Sequence, residues 1–454
     1  MKNLKRDSID FGRGQITPMF LDILVPTFLG LLSSSLFVFA DGIFVGQGVG
    51  GNALGAVNIL TPLYTLGSGL SLMIASGSSV IASVHLSRGN EKTARIIITQ
   101  AFSVVCFLGL ILGILLYSMP ERVLRLLGAN DALMPMSMDY MMWCIPAIML
   151  EMVQMVGQFT ARLDGSPRFA MMIQMVPAVA NVFLDWLFIF PLGLGLKGAA
   201  LATSIGGTTG VLMTAVYMLH NCRTLRFYRL KSTLTSLLLT LRNIWYMVKM
   251  GFSSLVLQLS VSVLVLCANY RFMALLGEDG VTAYGVCCYI LPVVMMVFYA
   301  ICQSAQPIIS FNYGAGNEAR VRKTYRLSIL FSVSAGLLLM LLTAFFAEPM
   351  VSVFIPDGSR AHDLCVQGFP YYAISFLFVS YNQAECGYLQ SIESATKATV
   401  LTVLRGMLLP VAAFFIVPAL MGTVGLWLAV PFAEAATCAV ILLAKVCKML
   451  KFVS

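Results

Sequence analysis

Charge is scarce in this chain. Of its 454 residues only 11% are Asp, Glu, Lys or Arg and 59% are hydrophobic; soluble domains carry about 25% charged residues. With a mean hydropathy of +0.88, an ordinary soluble fold is excluded. Histidine is scarcer still. His85, His220 and His362 lie far apart and offer no metal-ligand spacing. The 11 cysteines are scattered through apolar runs such as VVCFLG and GVCCYI. They lack the paired spacing of zinc or redox motifs and read as small buried hydrophobes. Nucleotide chemistry is missing too. GQGVGG looks like a phosphate loop but has no following Lys-Ser/Thr. It reads as a tight hairpin, and transport powered by nucleotide hydrolysis in this chain is not expected. No short apolar core ends in a small-residue cleavage site, so no removable signal peptide is expected.

What the chain does have is apolar length. Stretches long enough to cross a bilayer, ~20 residues, recur from end to end. They are continuous rather than alternating, which predicts helices and not a barrel. The pattern predicts twelve spans, at 18–45, 53–84, 96–118, 134–160, 169–190, 198–220, 247–275, 282–311, 325–347, 366–390, 398–418 and 424–446. Between the sixth and seventh lies the basic segment NCRTLRFYRLKSTLTSLLLTLRN. This divides the chain into an N-terminal arm (1–17), a first lobe (18–220), a linker (221–246), a second lobe (247–446) and a tail (447–454). All 29 Lys and Arg except Arg122, Arg125, Lys197, Arg271 and Arg360 fall on the side that holds both termini. Positive charge marks the cytoplasmic side, so both termini are expected there. The net charge of +9 is then spread over short segments facing anionic lipid, and no nucleic-acid partner is needed.

The two lobes repeat. SRGNEKTAR at 87–95 matches GAGNEARVR at 314–322, an offset of 227. At the same offset Gly50 meets Gly277, Ala56 meets Ala283, Pro191 meets Pro418, and Gly195 and Gly198 meet Gly422 and Gly425. The expected architecture is all-α and integral to the membrane. Its two six-helix lobes would be related by a pseudo-two-fold axis along the membrane normal, a transporter arrangement with a cavity between the lobes.

The offset also isolates a polar set. Asp41 falls on Ala268, Asn181 on Leu408, Asp185 on Ala412 and Thr203 on Val430. The two lobes have similar scaffold needs, so polar groups present in only one of them point to a task. An unpaired carboxylate in a span costs several kcal/mol. Asn181 and Asp185, in NVFLD, are i and i+4 and share a helix face. Asp185 lies roughly 8 Å along the axis from the end of its span; Asp41 and Thr203 sit at similar depth in theirs. Two carboxylates, an amide and a hydroxyl suit a small hard cation. They also suit a proton, because neighbouring carboxylates in low dielectric cannot both stay ionised. No Lys or Arg lies at that depth in the three spans; Lys197 is the nearest in sequence.

DGIFVGQGVGGNALGAVNILTPL, after the first span, and AICQSAQPIISFNYGAGNEARVRK, at the end of the eighth, resemble the multidrug and toxic compound extrusion (MATE) family. The likeness is to its DinF-type branch and MepA-like members, and it covers nearly the whole chain. The resemblance implies efflux of amphipathic, often cationic compounds from a bacterial cytoplasmic membrane, in exchange for H+ or Na+. No cofactor, and no metal beyond Na+, is implied, and a monomer is expected. It also implies a coupling-cation site on an Asp of helix 1, an Asn and Asp of helix 5 and a Thr of helix 6: Asp41, Asn181, Asp185 and Thr203. Pro26 falls where helix 1 bends in such members; a proline removes one backbone hydrogen bond, so a bend there would carry Asp41. Another branch uses acids of the second lobe, which makes Glu385 a candidate second titrating group; Glu434 is also intramembrane, and Gln258 stands without a carboxylate.

Methionine is frequent, 27 residues, and flexible thioethers suit a cavity that accepts several shapes. Gln154 and Gln158, near Glu151, form a polar face on the fourth span. With Tyr289 and Gln303 of the eighth they are candidate cavity residues, though helix packing accounts for such groups equally. Gly206 and Gly210 have small-xxx-small spacing for close helix approach. Two rival functions fit less well. A lipid-linked saccharide flippase of the same superfamily would carry basic cavity residues for diphosphate, and only Arg271 and Arg405 approach spans. An intramembrane prenyltransferase would need clustered Asp-rich motifs for metal diphosphate.

Overall fold

The computed structural model describes residues 9–447, apart from 132, 231–232 and 356. Residues 1–8 of the expected arm and 448–454 of the expected tail lie outside the described residues. Every regular element among the described residues is a helix, as an apolar chain in lipid requires. In order these are α1 (Ile16–Gly48), α2 (Gly51–Ser87), α3 (Glu91–Ser118), α4 (Pro120–Leu126), α5 (Met134–Leu163), α6 (Pro167–Ile189), α7 (Gly195–Val216) and α8 (Leu234–Gly314). There follow α9 (Glu318–Phe345), α10 (Ala347–Ser352), α11 (Arg360–Ala373), α12 (Ser375–Ser391), α13 (Ala395–Val403), α14 (Leu409–Met421) and α15 (Thr423–Val446). A π-turn, Leu404–Leu408, joins α13 to α14.

Among the described residues, ten helical segments are long and apolar enough to cross a bilayer. One of them, α8, runs for 81 residues, roughly four times the length of one crossing. It is two spans, because Gly277 interrupts it with φ 71 and ψ −156. The pair α11 and α12 bends by 40° and forms one broken span. The protein is therefore an all-α membrane protein of twelve spans, as the apolar pattern predicts. The short helices α4 and α10 were not expected; they begin at Pro120 and Ala347, again 227 apart.

The chain divides into two compact units, Met1–Leu255 and Val256–Ser454. The start of α8 belongs to the first. Gln100 on α3 donates to Thr240 (2.9 Å) and accepts from Asn243 (3.0 Å). Gly77 and Gly251 let α2 and α8 touch backbone to backbone, since a side chain on either would meet main-chain atoms of the other helix. Much of the expected linker is therefore helix that packs within this unit. Its core includes Leu60, Leu124, Met141, Ile145 and Ala199. The core of the second unit is more aromatic: Phe272 stacks on Tyr284 (4.8 Å) and meets Trp427 edge-on (5.0 Å).

Backbone conformation repeats with the sequence. Gly50, Gly89 and Gly195 take positive φ, and so do Gly277, Gly316 and Gly422, each 227 residues later. Along α6 the register differs by one. Gly165 (φ 81) matches Glu393 (φ 57), an offset of 228. The buried faces agree with 228: Asp185 and Ala413 are both buried, whereas Ala412 and Leu408 are exposed. The second-unit partners of Asn181 and Asp185 are thus Leu409 and Ala413. They are as apolar as the pair read from the sequence, so the asymmetry stands.

Candidate coupling-ion site

Three helices of the first unit carry the polar set. Asp41 lies two turns from the end of α1, Asp185 one turn from the end of α6, and Thr203 two turns into α7. Small residues let these helices close up. A side chain on Gly206 would meet Asn181 Cβ at 3.1 Å and Pro177 O at 3.2 Å. Asn181 consequently reaches α7, and its Nδ2 donates to Thr203 Oγ1 (3.4 Å). The Thr203 hydroxyl donates in turn to Ala199 O on its own helix (3.0 Å). Its lone pairs are thereby turned toward Asn181.

Asn181 is 3% exposed and Asp185 0%. Asp41 and Asp185 stand within electrostatic range of one another. Both oxygens of Asp185, Oδ1 of Asp41 and Oδ1 of Asn181 are buried with no hydrogen-bond partner among the described residues. Buried polar atoms are almost always paired. Four acceptor oxygens without donors are what a cation or shared proton would satisfy. Lys197, the nearest basic residue in sequence, is engaged elsewhere, with Asp139 at 3.2 Å. Tyr140 of α5, which the sequence reading did not single out, is buried within electrostatic range of both acids. Nothing in MDYMMW distinguishes it from an ordinary aromatic filler.

The MatE family model matches residues 26–187 and 250–416. The chain belongs to the MatE family. The matched segments fall one in each repeat and include Asp41, Asn181 and Asp185; MatE proteins are membrane transporters. This MatE chain is 22% identical to the multidrug export protein MepA of Staphylococcus saprophyticus, over 92% of its own length and 90% of the relative's. It is 26% identical to a FAD transporter of Shewanella oneidensis, over 75% of its length and 74% of the relative's. Among solved structures, a multidrug resistance MATE transporter in an outward-facing conformation superposes with a TM-score of 0.87, at 20% identity and 95% coverage of each chain. A mutant of the Vibrio cholerae MATE transporter VcmN gives 0.88, at 18% identity, with 96% and 98% covered. At these identities the structures establish the fold.

The remaining candidates are dispersed. Pro26 is buried within α1. Gln154 Nε2 donates to Ile173 O (2.9 Å), so that amide ties α5 to α6; Gln158 is buried further along α5. In the second unit Tyr289 is 59% exposed and stacks on Phe354 (5.7 Å, 12°), while Gln303 is half-buried. Glu385 is fully buried and bonded to Lys445 and to the Tyr325 hydroxyl. Lys445 also reaches Tyr381 (2.7 Å). The other acid, Glu434, accepts from Arg405 Nε on both oxygens (2.9 Å each) and from Asn382 Nδ2 (2.7 Å). Arg405 Nη1 donates to Gln383 Oε1 (2.7 Å).

Proposed function

We propose that this MatE protein is a secondary active exporter of amphipathic, often cationic compounds in a bacterial cytoplasmic membrane. Both termini are cytoplasmic, and H+ or Na+ entering through the Asp41–Asn181–Asp185–Thr203 pocket drives export by alternating access. The supporting observation is the cluster of four buried acceptor oxygens with no hydrogen-bond partner among the described residues. A carboxylate pair in that setting takes up charge readily and holds it only while the surroundings stay dry. Loading the pocket with a proton or Na+ would stabilise one arrangement of α1, α6 and α7 over another. Pro26, which leaves α1 short of a backbone hydrogen bond, is the place for such a change. The six-span lobes 18–220 and 247–446 are the moving parts. Gln154, Gln158, Tyr289 and Gln303 are proposed to meet substrate. The working unit is a monomer. A lipid-linked saccharide flippase is disfavoured because, of the two basic groups near spans, Arg405 is already held by Glu434 and Arg271 Nε donates to Phe414 O (3.0 Å).

The test is efflux of a fluorescent lipophilic cation from proteoliposomes under an imposed pH gradient or an imposed Na+ gradient. FAD belongs in the substrate panel as a chemically distinct alternative. Asp41→Asn and Asp185→Asn should each lower gradient-driven efflux at least ~100-fold, equivalent to about 2.7 kcal/mol. Full gradient-driven efflux in both variants would defeat the assignment.

A further inference from the structure

One acid of the first unit has no part in the pocket just described. Glu151 sits at the middle of α5, seven residues beyond Cys144, or roughly 10 Å deeper along the helix. It is half-buried, and its side-chain hydrogen bond comes from Ser68 Oγ on α2 (2.9 Å). The titratable groups brought toward it are Tyr64 from α2 and Cys144 from its own helix. Among the described residues, α3, α6 and α7 bring no charged side chain into ion-pair or hydrogen-bond reach of it. A mid-membrane carboxylate without a counter-ion is costly and usually functional.

The groups around it form a string. Ser68 and Tyr64 are i and i+4 on α2, so they share a face. Cys144 Sγ donates to Tyr64 Oη (3.0 Å). Cys144 is also hydrogen-bonded to Tyr140, and Tyr140 stands within electrostatic range of Asp41 and Asp185. Hydroxyls and a thiol, each both donor and acceptor, thus run from Tyr140, near the outer acid pair, to mid-membrane; no hydrogen bond joins Tyr140 to Asp185 or to Asp41 Oδ1 in this structure.

We propose that Glu151 is a third proton-carrying residue of this transporter, linked to the Asp41–Asp185 pair through Ser68, Tyr64, Cys144 and Tyr140. In the transfer, each intervening hydroxyl or thiol accepts one proton and releases its own. The outer carboxylic acid becomes a carboxylate, the Glu151 carboxylate becomes the acid, and the string returns to its starting composition. This inference rests on the reading of the outer pocket as the coupling-ion site.

Two measurements test it on the full-length protein, with ethidium as the probe. The first is the number of protons released per transporter when ethidium is added in weak buffer; the second is pH-gradient-driven ethidium efflux across pH 5.5–8.5, all on purified or reconstituted protein. Glu151→Gln should lower proton release and flatten the pH profile, with gradient-driven efflux reduced about tenfold and gradient-free ethidium exchange kept within about twofold. Glu151→Asp should restore the pH profile. Tyr64→Phe, which keeps the ring and removes the hydroxyl, should slow gradient-driven efflux in the same selective way and covers the case in which Glu151→Gln does not fold. Wild-type proton release and pH profile in Glu151→Gln, with Asp41→Asn inactive, would overturn this inference alone. Wild-type behaviour in Asp41→Asn as well would overturn the pocket reading with it.

Discussion

Two pairs of intramembrane acids, one pair in each unit, are held in opposite ways. In the first, Asp41 and Asp185 have oxygens with no partner among the described residues, and no basic residue there makes an ion pair with them. In the second, Glu434 is held by Arg405 and Asn382, and Glu385 by Lys445 and Tyr325. The backbones repeat at four positive-φ positions, Gly50, Gly89, Gly165 and Gly195 matching Gly277, Gly316, Glu393 and Gly422, so the scaffold does not require this difference. A compensated acid fastens helices together: Glu434 joins α15 to the π-turn and α12, and Glu385 joins α12 to α9 and α15. An uncompensated one fastens nothing and remains open to an ion. On the coupling-ion reading proposed above, one copy holds its acids in fixed ion pairs and the other keeps them chargeable.

Removing an acid should therefore act with opposite sign in the two units, and this is the largest effect expected on stability. Glu434→Ala leaves a buried guanidinium alone and should cost about 3–5 kcal/mol, read as a large fall in the thermal midpoint of the detergent-solubilised protein. Asp185→Asn removes an unpaired buried charge of similar shape and should leave stability within about 1 kcal/mol of wild type, or raise it. If Asp185→Asn destabilises as strongly as Glu434→Ala, the two acids are of one kind and the contrast fails. The double replacement of Arg405 by Met and Glu434 by Leu should recover most of the loss, because a buried ion pair and an apolar filling of similar volume are often equivalent.

A packing substitution sharpens the same contrast within the first unit. Gly206→Leu would push a side chain into Asn181 and Pro177, and overpacking of this kind costs about 1–3 kcal/mol. It should also separate Asn181 from Thr203 and weaken cation dependence, measured as the shift in the gradient needed for half-maximal efflux. Efflux with unaltered cation dependence would mean that the Asn181–Thr203 bond is not part of the site.

The sequence foretold the fold because lipid leaves little choice. Apolar runs of bilayer length must be helices, and the break between the seventh and eighth spans was visible as Gly277 among charged residues. Helices α4 and α10 escaped because seven and six residues are too short to show a period. The four polar residues of the pocket were legible, since an Asn and an Asp within NVFLD violate the apolar pattern and vanish in the repeat. Tyr140 was not, because an aromatic fits the pattern. Nor was the capture of Glu434 by Arg405, 29 positions away, or of Glu385 by Lys445, 60 away. Partners on different spans leave no local signature, so a compensated acid and an open one look alike until the chain is folded.

The smallest effect tests the half of the comparison in which the units agree. Gly50 and Gly277 both take positive φ, 113 and 71, and a Cβ added to either would meet nothing within 4 Å. Packing is thus removed from the question, and backbone strain alone remains, about 1–3 kcal/mol for a residue with a side chain in this glycine-only region of positive φ and extended ψ. Gly50→Ala and Gly277→Ala should each lower the thermal midpoint by a similar small amount and leave cation dependence untouched. Equal small losses at these turns, beside opposite effects at the acids, would separate what duplication preserved from what it changed. A loss confined to one turn would mean that the hairpins carry different loads, and that the divergence between the units extends to the backbone itself.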